Sequence, residues 1–480
     1  MWLENLNNKI TTRIIYFIAT ILWGSAALGS LYFMGTNIIN NPYIMFFYVL
    51  LALAILSWIL YVITKHFTVR NTILLIIVLS SILKLIWILK IHTELSSDFL
   101  VLYNASVNAS KGDFNFMKST YFQNWPYQLG FVLYQSFIIK AFGNSVLIIK
   151  LINILLCNAT AYIIFLIGKK VFNEKIGLVG MMALSFYPQY IFFSSVLTNQ
   201  FIANFLFYFG VYLIIRYNNW SGLFGGGVLI GLGNIVRPLG PLIIIAVFLY
   251  ILFYKNLLKY KSIWLTKLVL IVAFLGGYQI ITVAVNTAVQ ETHASQYPLK
   301  NRSETWKFVT GLNYETTGAY SNQDLEYLNQ YPIGPKRDRV GKKIIKKRLA
   351  DKKKLLKLVI KKSLVMWSYE DAAVYWSNLE QFINLRLYKG VLLYQVVVYT
   401  ILLSLAVIGI LGSMIENNHK AVLLVILMIG YFMVHWLIEI QTRYRFFIMP
   451  SILLFSSAGL FIVGHHLKSS LKKIKYLKEK

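Results

Sequence analysis

The first position in this sequence whose type and place suit chemistry is an acid just past a long apolar run. Asp98 stands in Ser96-Ser97-Asp98-Phe99, a few residues beyond the run Ile73–Ile91. Where water is scarce the charged carboxylate is disfavoured, and its basicity rises toward what a general base needs. A second reading stays open, in which Ser96, Ser97 or Asp98 caps a helix starting at Phe99. Asp113 follows Gly112 fifteen residues later, too far for a local Asp-x-Asp metal clasp. The sequence thus shows no metal site and implies no cofactor, although a divalent ion is left open.

Two further clusters carry chemistry. The stretch from Tyr103 to Tyr134 holds Tyr121, Gln123, Trp125 and Tyr127, with Pro126 suited to the first turn of a helix that runs to Phe142 and stops at Gly143. Flat aromatic faces and paired amide donors are what sugar-binding surfaces use, and Tyr and Trp also gather at head-group depth as membrane anchors. Glu439, Arg443, Tyr444 and Arg445 crowd into seven residues between two apolar runs. Arginine offers a planar, permanently charged fork suited to phosphate, and Arg237 could converge on the same surface. The alternative is a snorkelling rim pair with Glu439 as counter-ion. Gly225-Gly226-Gly227 and Gly231 read as close helix packing rather than a phosphate loop. His92 and His435 are isolated, and no Walker, dinucleotide or His-Glu-x-x-His pattern occurs.

The elements that must position these residues are membrane helices. Of 480 residues, 58% are apolar and 14% charged, against about 45–50% and about 25% in soluble domains. An ordinary cytosolic enzyme is excluded. Spanning helices need about 20 apolar residues, and the sequence predicts an all-α bundle of twelve: Ile14–Leu31, Ile44–Ile63, Ile73–Ile91, Ser145–Ile167, Ile176–Ser195, Phe201–Ile215, Leu223–Val236, Leu239–Tyr254, Leu265–Val289, Val391–Leu411, Ala421–Ile438 and Phe446–Val463. The first resembles a signal peptide and is read as a retained helix because so many spans follow. Leu223–Val236 and Leu239–Tyr254 meet at Arg237-Pro238, as a broken hairpin would. The single cysteine, Cys157, leaves no intrachain disulfide or cysteine-rich zinc site.

A net charge of +29 reads here as cytoplasmic loops and attraction to anionic lipid, with no nucleic acid as partner. With both termini in the cytoplasm, short inner segments carry 19 Lys and Arg and short outer ones 6. The chain then divides into an N-terminal three-helix segment (1–91), a first outer loop (92–144), a membrane core (145–289), a basic outer loop (290–389), three C-terminal spans (390–463) and a basic tail (464–480). Between Lys336 and Lys362 stand 14 basic residues, with Val340, Ile344, Ile345, Leu349, Leu356 and Val359 near helical spacing. This predicts one amphipathic helix, lying on anionic head groups, gripping an anionic polymer, or merely solvated. Richness in Ile, Lys and Asn hints at a bacterial source.

The order of the pieces resembles the GT-C glycosyltransferases, in particular the protein O-mannosyltransferase and aminoarabinose transferase branch. The residues that carry the resemblance are Ser97-Asp98, Tyr103, Ala105 or Ala109, Gly112-Asp113, Pro126, Gly130 and Gly143. Further on come Phe186-Tyr187-Pro188 with Ser194-Ser195, Arg237-Pro238, Gly311-Leu312-Asn313 with Gly318, Tyr320 and Asp324, and Glu439 to Arg445. The resemblance covers most of the chain from about Lys90, with the first two spans as an addition. It implies transfer of a sugar from a polyprenyl-phosphate carrier to a glycan, lipid or protein acceptor on the outer face of the plasma membrane. Asp98 would deprotonate or orient the acceptor hydroxyl, with Asp113 or Glu94 as the second acid, and Arg237, Arg443 and Arg445 would hold the leaving phosphate. A positively charged outer loop suits an anionic acceptor. The rival readings are a secondary transporter or lipid flippase, against which the lack of an evident internal repeat speaks, and a surface-polysaccharide polymerase or ligase.

Overall fold

A computed structural model describes residues 2–39, 68–217, 219–254 and 263–478. Among these residues all the regular structure is helical, without a strand. Seven helices are long and apolar enough to cross a membrane: Lys9–Thr36, Val69–Lys90, Val146–Val171, Trp264–Glu291, Leu385–Ile415, His419–Leu437 and Met449–Leu467. The bent pair Glu174–Ser185 and Pro188–Ser195, turned by 49°, is long and apolar enough only when its two parts are taken together. Three shorter apolar helices follow it, Gln200–Arg216, Trp220–Val236 and Gly240–Tyr254. At about 1.5 Å per residue, the last two, of 17 and 15 residues, fall short of a hydrocarbon core of about 30 Å. Eleven of the twelve expected segments coincide with these helices; Ile44–Ile63 lies outside the described residues.

Burial runs opposite to that of a soluble protein. On Val69–Lys90 the buried positions Thr72, Ile76, Ser80, Lys84 and Ile88 recur every four residues, while Leu74, Val78, Ile82 and Ile86 are about half exposed. Apolar side chains thus face outward, as a lipid solvent allows, and the polar stripe faces protein. The buried lysine in that stripe joins two helices. Lys84 Nζ donates to the Ser185 carbonyl at 2.6 Å, an oxygen stranded where the bent pair breaks before Pro188. The glycine run reads as close packing, since a methyl group on Gly227 would collide with the Phe274 carbonyl of the neighbouring helix.

The loop 290–389 is woven into the bundle. Its basic run is two helices, Pro335–Ala350 and Lys352–Ser368, rather than the single one expected. Asp351 breaks the run, accepting from Lys354 N to cap the second helix. Val340, Ile344 and Ile345 pack on Trp306, Val309 and Leu328, while lysines 342, 343, 346 and 347 are exposed. The second helix enters the bundle, where Trp367 meets Trp23 of the first helix at 5.0 Å between ring centroids. The first span therefore helps to build the core.

Candidate active site

Asp98 is brought to one end of the bundle by a short extended link. Helix Val69–Lys90 stops at Ile91, and residues 91–96 cross to helix Ser97–Ser110. Thr93 fixes the link, donating to Ser195 Oγ at 2.7 Å and packing against the Ser377 carbonyl at 2.9 Å. Ser97 takes a left-handed backbone, φ 51°, an uncommon conformation for a residue with a side chain. The capping alternative is not what the structure holds. Ser96 occupies the cap position without a side-chain bond, and Asp98 lies in the first turn, half-buried.

Asp98 lines two adjoining clefts. The first, about 230 Å³, is walled by Arg237, Asn199 and Gln200 with apolar Leu102, Phe131 and Leu239. The second, about 330 Å³, is walled by Tyr121, Trp125, Trp306, Tyr320, Asn124 and Asn329. Both share Asp98, Tyr127, Gln128, Lys307, Glu439, Arg443 and Tyr444. Burial, and then the charge of Asp98, push the Tyr121 hydroxyl well above its ordinary range. Burial raises Tyr127 to about 12, with Lys307 opposing and Asp98 and Glu439 adding to the rise. Both phenols therefore stay protonated.

Glu439 is almost fully buried and forms an ion pair with Lys307. Burial alone would raise the carboxyl, but Lys307 holds it below its ordinary range; burial alone would lower Lys307, and Glu439 more than reverses this. The backbone explains why these two residues meet. Glu439 N–H donates to the Lys307 carbonyl at 2.9 Å, and Ile440 N–H to the Gly318 carbonyl at 2.9 Å. Gly311 permits the approach, since a methyl there would strike the Leu437 carbonyl. Lys362 closes the junction with bonds to the carbonyls of Gly311, Trp436 and Ile438 at 2.6, 3.1 and 2.8 Å.

The arginines divide. Arg443 donates from Nε to Gln441 Oε1 at 2.5 Å and lies 4.7 Å from the Trp376 ring centroid and 5.5 Å from that of Phe99. Arg237 donates to Asn199 Oδ1 at 2.8 Å and lies 5.4 Å from the Tyr444 ring. Among the described residues neither is within ion-pair distance of a carboxylate. Two cations with only neutral partners therefore border the first cleft, a setting for an anion. Arg445 corrects the expectation of a third. It is buried, donates to the carbonyls of Met366 and Val365 at the end of helix Lys352–Ser368, and stacks 4.6 Å from Tyr399. Helix-end carbonyls favour a cation, and that position takes Arg445 away from both clefts.

Other expected site residues also lie elsewhere. Asp113 is exposed and accepts from Asn115 N–H at 2.9 Å, and Glu94 is exposed, so neither lines the clefts with Asp98. Tyr103 donates to Asn144 Oδ1 at 2.6 Å. Gln123 ties Arg302 to the Met117 carbonyl. The acid that does share both clefts with Asp98 is Glu439. Sequence reasoning missed Lys307, Trp306 and Gln128, and of these only Gln128 lies in a stretch already singled out.

Among the described residues no three His, Cys, Asp or Glu side chains gather as a metal site would require. Residues 129–277 match the family model described as dolichyl-phosphate-mannose-protein mannosyltransferase, in agreement with the resemblance to GT-C glycosyltransferases. No curated protein matches the chain. Among solved structures, it is similar to an Archaeoglobus fulgidus oligosaccharyltransferase in complex with zinc and sulfate, at 13% identity and a TM-score of 0.48, over 82% of this chain and 49% of that one. It is also similar to the archaeal oligosaccharyltransferase AglB from Archaeoglobus fulgidus with an inhibitory peptide and a dolichol-phosphate, at 13% identity and a TM-score of 0.45, over 84% and 52%. The chain thus spans about half the length of these structures.

Proposed function

We propose that this chain, whose residues 129–277 carry the pattern of a membrane mannosyltransferase family, moves a monosaccharide from a polyprenyl-phosphate carrier to an acceptor hydroxyl. The reaction takes place on the outer face of a bacterial plasma membrane, with both termini inside. The observation that carries this reading is Asp98 on the wall common to two unlike clefts. Arg237 and the shared Arg443, neither paired with a carboxylate among the described residues, border one, and Tyr121, Trp125, Trp306 and Tyr320 line the other. The family description supports a lipid-phosphate donor, and the excess of Lys and Arg on the opposite short loops supports the outer face.

The carrier phosphate lies in the first cleft and the acceptor in the second. The acceptor oxygen bonds to the anomeric carbon as its proton passes to the Asp98 carboxylate. The bond from that carbon to the phosphate oxygen breaks, and its electron pair leaves with the polyprenyl phosphate. Arg237, Arg443 and Lys307 hold the charge that develops there, fixed beforehand by Asn199, Gln441 and Glu439. Purified full-length protein, given a polyprenyl-phosphate sugar and a cell-envelope extract, releases free polyprenyl phosphate. Asp98→Asn does not, while unfolding at the same temperature. Sugar-lipid crossing a liposome bilayer without phosphate release makes the chain a carrier and ends the proposal.

A further inference from the structure

The second cleft has a chemistry of its own. Tyr121 and Trp125 stand edge to face with ring centroids 5.0 Å apart, and Trp306 and Tyr320 do the same at 5.8 Å. Two aromatic pairs from distant parts of the chain thus wall one chamber. Tyr320 is 45% exposed, so its face is available to a ligand. The chamber is held rigid from behind. Buried Arg337 donates to Asn124 Oδ1 and to Asn329 Oδ1, both at 2.9 Å, which locks both amides on the cleft wall.

A second, independent observation points to what enters. Gln128 lines both clefts and donates from Nε2 to the Tyr121 hydroxyl at 3.1 Å. Its carbonyl oxygen is buried and, among the described residues, has no partner. A buried acceptor left unmade costs about 1–3 kcal/mol, so the site asks for a ligand that brings a donor beside Asp98. Asp98 needs a hydroxyl proton on the same wall. A ligand with adjacent hydroxyls and an apolar ring face satisfies Gln128, Asp98 and the aromatic walls together. A peptide serine or threonine brings one hydroxyl and no ring.

Resting on the glycosyltransferase reading, we infer that the second cleft binds the acceptor as a saccharide. One sugar ring stacks on Trp125 and Tyr320, and two neighbouring hydroxyls meet Gln128 and Asp98. The enzyme therefore extends or decorates a glycan.

Binding is tested without the donor, so that failure of transfer and failure of this inference stay distinct. Full-length protein in nanodiscs is titrated with gluco-, manno- and N-acetylglucosamine-type trisaccharides and with Ser/Thr hexapeptides. The readouts are tryptophan fluorescence and saturation-transfer NMR. At least one trisaccharide binds, and Tyr320→Ala and Trp125→Ala weaken it about three- to tenfold, the range of an aromatic contact. Gln128→Leu weakens it as well. Should Trp125→Ala fail to fold, the half-exposed Tyr320→Ala carries the test. Binding of the hexapeptides that is lost in Tyr320→Ala, or no binding by any trisaccharide, overturns the inference.

Discussion

Lys307 and Glu439 are joined twice, by a side-chain ion pair and by a backbone hydrogen bond of 2.9 Å from Glu439 N–H to the Lys307 carbonyl. They are 132 positions apart in sequence, so the pair fastens the loop 290–389 to the end of helix Val422–Leu437 beside Asp98. Removing one partner leaves the other stranded. Breaking a fully buried pair costs about 3–5 kcal/mol; a third of the Lys307 side chain is exposed, so Lys307→Met is expected to cost about 2 kcal/mol. Thermal unfolding in detergent checks this. The double variant Lys307→Met, Glu439→Leu is expected to recover stability but not sugar transfer.

Arg237 and Arg445 make opposite predictions. Arg237→Gln is expected to raise the KM for the lipid donor about 10- to 100-fold, the worth of one charge-assisted bond, with little change in unfolding temperature. Arg445→Met is expected to lower the unfolding temperature, since it frees the buried carbonyls of Val365 and Met366. Donor titrations and unfolding curves on both variants separate the roles. A KM effect confined to Arg445 would reverse the assignment.

Gly311→Ala is expected to disturb the end of the bundle that holds the clefts, from outside them. Its methyl would meet the backbone of Leu437, Ile438 and Glu439, and overpacking costs about 1–3 kcal/mol. Transfer activity falls with stability in this variant, whereas Gly334→Ala, with open space around it but a left-handed φ of 140°, strains only its own turn and leaves activity unchanged.

Asp371 gives a pH signature. Burial raises its carboxyl from 3.8 to about 6, against Arg445 and the bonds from Ala373 N–H and Gln189. Between those two values the folded protein holds a proton that the unfolded chain has lost. This stabilising contribution is full below about pH 4 and is lost as pH rises to about 6. Asp371→Asn is expected to flatten that segment of the stability curve by about 2 kcal/mol, measured by unfolding from pH 4 to 7. An unchanged slope rules it out.

The membrane helices were legible because a lipid solvent writes itself into composition: eleven apolar segments were found from runs alone. Asp98, Tyr121, Trp125, Tyr127, Arg237, Glu439, Arg443 and Tyr444 line the two adjoining clefts. Other assignments failed where local sequence underdetermines packing. Arg443 and Arg445 are two residues apart, and the short helical turn Thr442–Phe447 points one to the clefts and the other to the core. Asp113 resembled a second acid through its neighbour Gly112, yet it only caps a turn. Lys307 was one of 19 basic residues in its loop, and nothing but its distant partner distinguishes it.

The shared wall has a kinetic consequence. Two reactants housed in adjoining clefts, and meeting across the wall that Asp98 shares with both, would both be aboard before any bond changes. On the proposed reading no sugar is parked on the protein. Initial-rate plots should therefore intersect instead of running parallel, and a single displacement should invert the anomeric configuration of the product.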